Sequence, residues 1–184
     1  MTLLLHTERL ILRNIKDSDL EPFLAYRNIP EVAYYQGWDI PFTREQGEKF
    51  IQEMKNLEAP KAGHWQQLAI ELKESGEMIG DIACRIRPED AQQAVIGFTI
   101  APGHWRQGYA VEAVLCLLEF LFNDLGLHRV SADCDVENTG SWRTLEKAGF
   151  RREAYFQESY FFGGVYTSEY YYGLLQREWR TRNI

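Results

Sequence analysis

The chain has 184 residues, of which 45% are hydrophobic and 26% are charged. This composition supports a packed core, excludes a largely disordered chain, and predicts one domain over residues 1–184. The formal net charge of −7 argues against general binding to nucleic acid, because a phosphate backbone selects basic surfaces.

The cysteines and histidines show no metal-ligand spacing. Cys84, Cys116 and Cys134 form no Cys-x-x-Cys pair, so we expect neither a structural metal nor a disulfide framework. Buried reduced thiols indicate a reducing compartment. No apolar run reaches membrane-spanning length, and the apolar stretch at residues 3–5 is too short for a signal peptide. These features predict a cytoplasmic protein without a metal and without a membrane partner.

The first part of the chain predicts one strand followed by short helices. Residues 9–13 alternate between polar and apolar side chains, as in a half-buried strand. A capping box at residues 18–21 predicts a helix through residues 23–26, and a second helical piece follows the break at 28–30. The aromatic stretch 34–42 is predicted to be a loop, and aromatic side chains on a loop favour binding or cap the core.

The next part predicts a helix and then three antiparallel strands. A second capping box at residues 43–46 begins a helix that keeps apolar spacing over 47–57. Residues 65–72 and 78–86 form a predicted hairpin, and a turn leads into a buried strand at 94–100.

The stretch 98–110 contains a strand end, a tight loop and the start of a helix that runs to residue 122. The first N–H groups of a helix have no partner inside it, and the helix dipole favours an anion there. Arg106 adds positive charge, and Gly108 allows a ligand to approach the backbone. Neither the ATP-binding loop nor the dinucleotide fingerprint is present. The stretch predicts a phosphate site, with an ordinary strand–turn–helix as the alternative.

A second strand and helix follow, and a hairpin completes the chain. Alternation over residues 129–136 predicts a strand parallel to the 94–100 strand, and Asn138 is a good N-cap for the next helix. Residues 151–160 and 165–175 form the predicted last hairpin. The order of elements predicts a mixed sheet with helices on both faces.

Ligands of such sheets bind in the crevice at the carboxyl ends of the parallel strands. That crevice would place the 106–110 amides opposite Asn138 and Ser141. A ligand with a pyrophosphate head and a long polar arm would fit between the two strands.

Several short motifs follow one another along nearly the whole chain. They are Thr7-Glu8-Arg9-Leu10-Ile11-Leu12-Arg13, Ile79-Gly80-Asp81, Ile96-Gly97-Phe98, Trp105-Arg106-Gln107-Gly108-Tyr109-Ala110, Leu127-His128-Arg129-Val130, Asn138-Thr139-Gly140-Ser141 and Glu146-Lys147-Ala148-Gly149-Phe150. In this order they resemble the GCN5-related N-acetyltransferase (GNAT) superfamily, and within it the Rim-type (RimJ/RimL-like) branch of ribosomal-protein N-terminal acetyltransferases. The resemblance implies an α/β (α+β) fold with a mixed, mostly antiparallel central sheet and one parallel strand pair.

The resemblance also implies an N-acetyltransferase with acetyl-coenzyme A (acetyl-CoA) as donor. The amides of residues 106–110 would bind its pyrophosphate, the strand edge at 98–100 would pair with the pantetheine amides, and Asn138 would contact the arm. Trp105 stands where the family often has Gln or Arg, which matters little because backbone amides do the binding. The residues implied in coenzyme binding are Phe98, Thr99, Ile100, Arg106, Gln107, Gly108, Tyr109, Ala110, Asn138 and Ser141.

The implied mechanism is direct attack of a neutral amine on the thioester. Ser141 would act as general acid toward the leaving thiolate, although a first-turn serine can simply bond to backbone. Many relatives have a glutamate where this chain has Val95, so the base must come from elsewhere or through water. Of Asp81, Glu158 and Glu169 we favour Glu158, and for each a solvated or paired surface group is the alternative.

The sequence leaves the acceptor open. The stretch 34–42, with Tyr35 and Trp38 as candidate substrate-binding residues, and the hairpin 155–170 should line the acceptor site. The acceptor is either a protein α-amino group or a small amine such as an amino acid, a polyamine or an aminoglycoside. A regulatory module that binds coenzyme A without turnover is the alternative function. Dimers are common in such families, so a homodimer is a further open expectation.

Overall fold

Eight strands form one sheet in the computed structural model, which describes residues 3–55, 57 and 60–182. The strands are β1 (Leu4–His6), β2 (Leu10–Asn14), β3 (Gln66–Leu72), β4 (Met78–Arg87), β5 (Asp90–Ile100), β6 (Arg129–Asp135), β7 (Arg151–Phe162) and β8 (Val165–Leu175). Their order is β1-β2-β3-β4-β5-β6-β8-β7. Every neighbouring pair is antiparallel except β5 and β6. The predicted mixed, mostly antiparallel sheet with one parallel pair is therefore confirmed.

Helices cover both faces of the sheet, as predicted. They are α1 (Leu20–Arg27), α2 (Pro30–Gln36), α3 (Arg44–Met54), α4 (Tyr109–Glu119), α5 (Thr139–Lys147) and α6 (Gln176–Arg182). On one face α4 and α5 pack on the sheet through fully buried side chains such as Val114, Leu117 and Leu145. On the other face α1 and α3 enclose a second cluster that contains Phe23 and Ile51. A π-helical turn, Phe120–Asp124, extends α4.

Two of the predicted helix starts are confirmed. At α3 the Thr43 hydroxyl accepts a hydrogen bond from the Gln46 amide at 3.2 Å, and the Gln46 side chain accepts one from the Thr43 amide at 2.7 Å. At α5 the Asn138 side chain accepts from the Ser141 amide at 3.1 Å. Both caps use residues three positions apart, which a sequence displays directly.

The capping box predicted at residues 18–21 is wrong. The Asp19 carboxylate instead accepts from the Lys16 amide at 2.8 Å and binds the Arg13 guanidinium at 2.6 and 2.8 Å. A 3-10 turn, Asp17–Asp19, therefore precedes α1, which has no side-chain cap at its N-terminus. The ion pair between Asp19 and Arg13 of β2 therefore accompanies a backbone conformation at residues 17–19 that the local sequence pattern does not reveal.

Two short terminal elements and one boundary differ from the prediction. The sequence interpretation missed β1 and α6; α6 is held by Trp179, whose ring stacks on Phe122 at 6.0 Å. The aromatic stretch 34–42 is only partly a loop, because α2 continues to Gln36 and ends at Gly37 with φ of 65°. Among the described residues no helix has both the length and the apolar character needed to span a bilayer.

The parallel pair separates soon after it forms. β5 and β6 are in register only over Gln93–Val95 and Arg129–Ser131. Beyond these residues the two strands diverge, and each leads toward a helix, α4 from β5 and α5 from β6. The divergence opens a gap in the middle of the sheet, with two helix N-termini at its edge.

Candidate active site

A cavity of about 520 Å³ occupies the gap between the diverging strands. Residues of α2, the end of β5, the start of α4 and the start of α5 line it together. Of the residues predicted to bind a ligand, it is lined by Tyr35, Phe98, Thr99, Ile100, Arg106, Gly108, Tyr109, Ala110, Asn138 and Ser141. The fold thus brings together three separate parts of the chain, namely α2, the β5–α4 connection and the start of α5.

The loop before α4 presents unpaired backbone donors to this cavity. Arg106 and Gly108 have φ of 60° and 85°, which lie in the left-handed region. This conformation is costly for Arg106, because a residue with a Cβ atom rarely adopts it. The first closed bond of the helix joins the Glu112 amide to the Gly108 carbonyl at 3.1 Å. Within the described part of the chain, the amides of residues 106–111 have no hydrogen-bond partner. Such a row of N–H groups at a helix N-terminus is a binding surface for an anion.

Arg9, in the connection between β1 and β2, holds this loop in place. Its guanidinium donates to the Gln107 carbonyl at 3.0 Å and to Glu112 of α4 at 2.6 and 2.7 Å, and it lies 4.4 Å from the centre of the Tyr109 ring. Glu112 also accepts from the Arg9 amide at 2.9 Å and from the Thr7 hydroxyl at 2.5 Å. Although burial opposes it, these hydrogen bonds hold the pKa of the Glu112 carboxyl below its usual value. The predicted motif at residues 7–13 therefore supports the loop.

The open edge of β5 is partly occupied by side chains of the protein. The Gln36 side-chain amide donates to the Phe98 carbonyl at 3.0 Å, and the Trp105 indole donates to the Ile100 carbonyl at 2.5 Å. Because the N–H and C=O of one strand residue point the same way, the N–H groups of Phe98 and Ile100 also face the gap. This edge of β5 therefore offers backbone N–H donors to a ligand, while the Gln36 side chain occupies the Phe98 carbonyl that a ligand could otherwise use as an acceptor.

On the other side of the gap, Ser141 lies in the first turn of α5. Ser141 lines the cavity, and its side chain lies near the Cys134 thiol of β6. Burial raises the pKa of this thiol to about 12, although the Ser141 side chain opposes the shift. Cys134 is thus an uncharged neighbour of Ser141.

Three positively charged side chains line the cavity. Arg106, Arg143 and Lys147 line the cavity, and none of them forms an ion pair with another described residue. Arg143 and Lys147 are one helical turn apart on α5, a spacing visible in the sequence that our interpretation did not use. Glu31 and Glu137 also line the cavity. Although the chain has a net negative charge, Arg106, Arg143 and Lys147 give this cavity unpaired positive charge in addition to the free amides of the loop.

Three predicted site residues lie outside the cavity lining. Gln107 turns its side chain back to the Gly103 carbonyl at 3.2 Å. The Trp38 indole donates to the Arg27 carbonyl at 3.0 Å and stacks on the Arg27 guanidinium at 4.1 Å. Glu158 lies exposed in a bulge of β7 with φ of 48°. Their predicted roles stay predictions.

The two other candidate bases are occupied by neighbours. Asp81 is buried and accepts hydrogen bonds from Tyr26 and Gln67, and burial raises the pKa of its carboxyl. Glu169 accepts from the Ser159 hydroxyl at 2.7 Å. Neither lines the cavity.

Comparison with known proteins agrees with this geometry. The family model described as an acetyltransferase (GNAT) domain matches residues 9–151. The uncharacterized N-acetyltransferase YoaA of Bacillus subtilis (strain 168) is 34% identical over 163 residues, which cover 88% of this chain and 90% of that relative. The crystal structure of a GNAT-family acetyltransferase from Bacillus anthracis has a TM-score of 0.82 at 30% identity and covers 95% of this chain and 99% of its own.

A more distant structure shows the fold alone. The spermidine N-acetyltransferase of Vibrio cholerae, solved in complex with CoA and spermine, has a TM-score of 0.81 at 21% identity, covering 95% of this chain and 99% of its own. The family match, by contrast, spans most of the chain and includes the free amides at residues 106–111 and the first turn of α5. This chain therefore belongs to the GNAT family of N-acetyltransferases.

Proposed function

We propose that this chain transfers the acetyl group of acetyl-CoA to a primary amine by direct attack. The observation that carries the proposal is the row of unpaired amides at residues 106–111, next to three unpaired cations that line the same cavity. Consecutive N–H groups at a helix N-terminus bind phosphate, and cations beside them add long-range attraction. Acetyl-CoA, as co-substrate, would place its diphosphate there.

The remaining cavity suits the arm of the coenzyme. Its volume of about 520 Å³ lies within the range of small-molecule sites. The N–H groups of Phe98 and Ile100 can donate to amide carbonyls of pantetheine, and Asn138 lies across the gap. The Phe98 carbonyl becomes available to a pantetheine N–H only when Gln36 moves away from it.

The proposed chemistry needs an oxyanion site, an acid and a base. Backbone N–H groups of β5 would stabilise the tetrahedral oxyanion. Ser141 is supported as general acid because it lines the cavity between the diverging strands, where the thioester end of the coenzyme would lie. An unperturbed thiol has a pKa near 8.5, so protonating the departing thiolate assists its release. Glu158, the base favoured from the sequence, has less support, since from outside the cavity lining it would act only through water.

The acceptor class is not decided by the fold. RimL, a ribosomal L7/L12 alpha-N-protein acetyltransferase, has a TM-score of 0.80 at 20% identity, much like the spermidine enzyme. Two enzymes with such different acceptors share this architecture, so the Rim-type assignment rests on the sequence motifs. The proposal covers residues 1–184 as one catalytic domain, acting in the cytoplasm, with a homodimer as a further prediction.

One experiment tests the proposal. The purified chain is titrated with coenzyme A by calorimetry and then incubated with acetyl-CoA and a panel of amines and peptides while free thiol is followed. Binding together with acceptor-dependent thiol release is the expected result. Binding without release for any acceptor would establish the regulatory module instead, and the absence of binding would refute both functions.

A further inference from the structure

We infer that Asp133, rather than Glu158, receives the ammonium group of the acceptor and takes up its proton, and that Arg85 selects an acceptor that also carries a negative group. This inference rests on the proposed function and identifies the substrate class for that site. It starts from the position of Asp133 where β5 and β6 separate.

Asp133 is the first residue of its sheet face beyond the β5–β6 ladder. The last registered pair is Val95 with Ser131, and side chains two positions apart on a strand share a face. Asp133 therefore continues the face of Ser131, while Cys134 points the other way, into the core below α5. The side chain of Asp133 is exposed although Ala132 and Cys134 on either side are buried. Its carboxylate lies where the gap begins, on the face opposite α4 and α5, so like Glu158 it stands outside the lining of the cavity described above.

The space in front of this carboxylate is open. Across the gap, Gly97 continues the face of Val95 and has no side chain, and a Cβ there would meet no atom within 4 Å. On the other flank Tyr171 is registered with Asp133. The Tyr171 hydroxyl is held by Arg87 at 2.6 Å. An amine can therefore reach the gap from this face, opposite the helices whose N-termini bind the coenzyme.

Asp133 has no internal partner. It forms no hydrogen bond or ion pair through its side chain with any residue that the structure describes, whereas the carboxylates of Asp19, Asp81 and Glu112 are each fully engaged. A carboxylate that the fold leaves unpaired beside an open path is available to a ligand cation.

The groups that face Asp133 tune its proton affinity. Desolvation by the surrounding protein and the charge of Glu169 on β8 raise the pKa of the Asp133 carboxyl, while Arg85 and Arg87 on β4 oppose the shift. Tyr171, also on β8, faces Asp133 from the neighbouring strand. A carboxyl with a raised pKa is a better proton acceptor for an attacking amine than an ordinary aspartate.

Arg85 indicates the second feature of the acceptor. Arg87 is engaged by Glu89 and Tyr171, but the Arg85 guanidinium forms no hydrogen bond or ion pair with a described residue and only stacks on Trp65 at 5.0 Å. Arg85 lies on the same face as Asp133, two strands away. An unpaired anion and an unpaired cation on one surface fit an amine with a nearby carboxylate, such as an amino acid or an acidic peptide N-terminus. They disfavour a polycation such as spermidine.

The test compares Asp133→Asn with Asp124→Asn, an exposed aspartate at the end of the turn after α4 that serves as the matched control. With the wild-type protein, kcat/KM should be higher for free amino acids or acidic peptides than for their carboxyl-blocked forms and for spermidine. Asp133→Asn should lower kcat/KM at least about 100-fold and remove the acidic limb of its pH profile. The melting temperature and coenzyme A affinity should stay at the wild-type values.

Arg85→Met should abolish the preference for the free carboxylate while leaving coenzyme A affinity unchanged. Wild-type turnover with an unchanged pH profile in Asp133→Asn, or loss of the acidic limb in Glu158→Gln instead, overturns the role of Asp133 and leaves the proposed function intact. A preference for spermidine overturns the acceptor class. A wild-type protein that binds coenzyme A but acetylates no amine overturns the proposed function and this inference together.

Discussion

Replacing Glu112 with glutamine tests whether the contacts behind the loop control coenzyme binding. The Glu112 carboxylate receives hydrogen bonds from the Thr7 hydroxyl, the Arg9 amide and the Arg9 guanidinium, which in turn holds the Gln107 carbonyl. The carboxamide has nearly the same shape but no charge, and its NH2 group would face donors. The change therefore loosens the loop from behind without touching the cavity lining.

The expected loss of binding free energy depends on how far solvent screens the ion pair between Arg9 and Glu112. A hydrogen bond to a charged group contributes about 1.5–3 kcal/mol when shielded. The Arg9 side chain is 43% exposed and that of Glu112 is 17% exposed, so solvent screening reduces this figure. We expect a loss of about 1–2 kcal/mol, which corresponds to roughly 5–30-fold weaker binding of coenzyme A. The melting temperature should fall by about 2–8 °C.

Calorimetry gives the Kd for coenzyme A, and steady-state kinetics should show a raised KM for acetyl-CoA with kcat within about twofold of wild type. The matched control is Glu21→Gln, which removes a solvent-exposed ion pair with Arg44 and should change neither quantity. Because folding lowers the Glu112 pKa, its contribution is present above the ordinary value of 4.5 and is lost as pH falls through the lowered folded value. A variant with a lower melting temperature but an unchanged Kd would refute the reasoning.

Three further predictions concern the cavity itself. Gly108→Ala should weaken coenzyme A binding at least tenfold, because a side chain at φ of 85° costs about 1–2 kcal/mol and displaces the free amides; Gly103→Ala, in the same loop with open space around it, should leave the Kd unchanged. Gln36→Leu should lower the KM for acetyl-CoA about 2–10-fold, since it frees the Phe98 carbonyl from a bond worth about 0.5–1.5 kcal/mol, and an unchanged or raised KM would show that Gln36 does not compete. Ser141→Ala should reduce kcat at least about tenfold with little change in coenzyme A affinity, and a change confined to KM would rule out its role as general acid.

Features formed by consecutive residues were predictable from the sequence. The cap at Asn138, the capping box at Thr43 and the last hairpin each depend on residues within about four positions of one another. The free amides at residues 106–111 belong to the same class, because a helix N-terminus leaves its first donors unpaired wherever it lies in the fold.

The residues that complete the site come from elsewhere in the chain. Arg9 reaches the loop from a segment about one hundred positions earlier, and Gln36 reaches the Phe98 carbonyl from α2. A contact between two elements, from Arg13 of β2 to Asp19 six positions later, made the capping box at residues 18–21 wrong. Such contacts follow from the packing of whole elements, which local residue patterns do not contain.

The tertiary structure alone decided where the central sheet opens. Alternation along β6 predicted that Asp133 and Cys134 face opposite sides of the sheet, but it did not mark Asp133 as a functional residue. The structure does so, because the β5–β6 ladder ends at Val95 and Ser131. Beyond that pair the two strands separate, and neither is paired across the gap. Where two strands part depends on the elements packed against both of them, and the sequence of either strand does not encode it by itself.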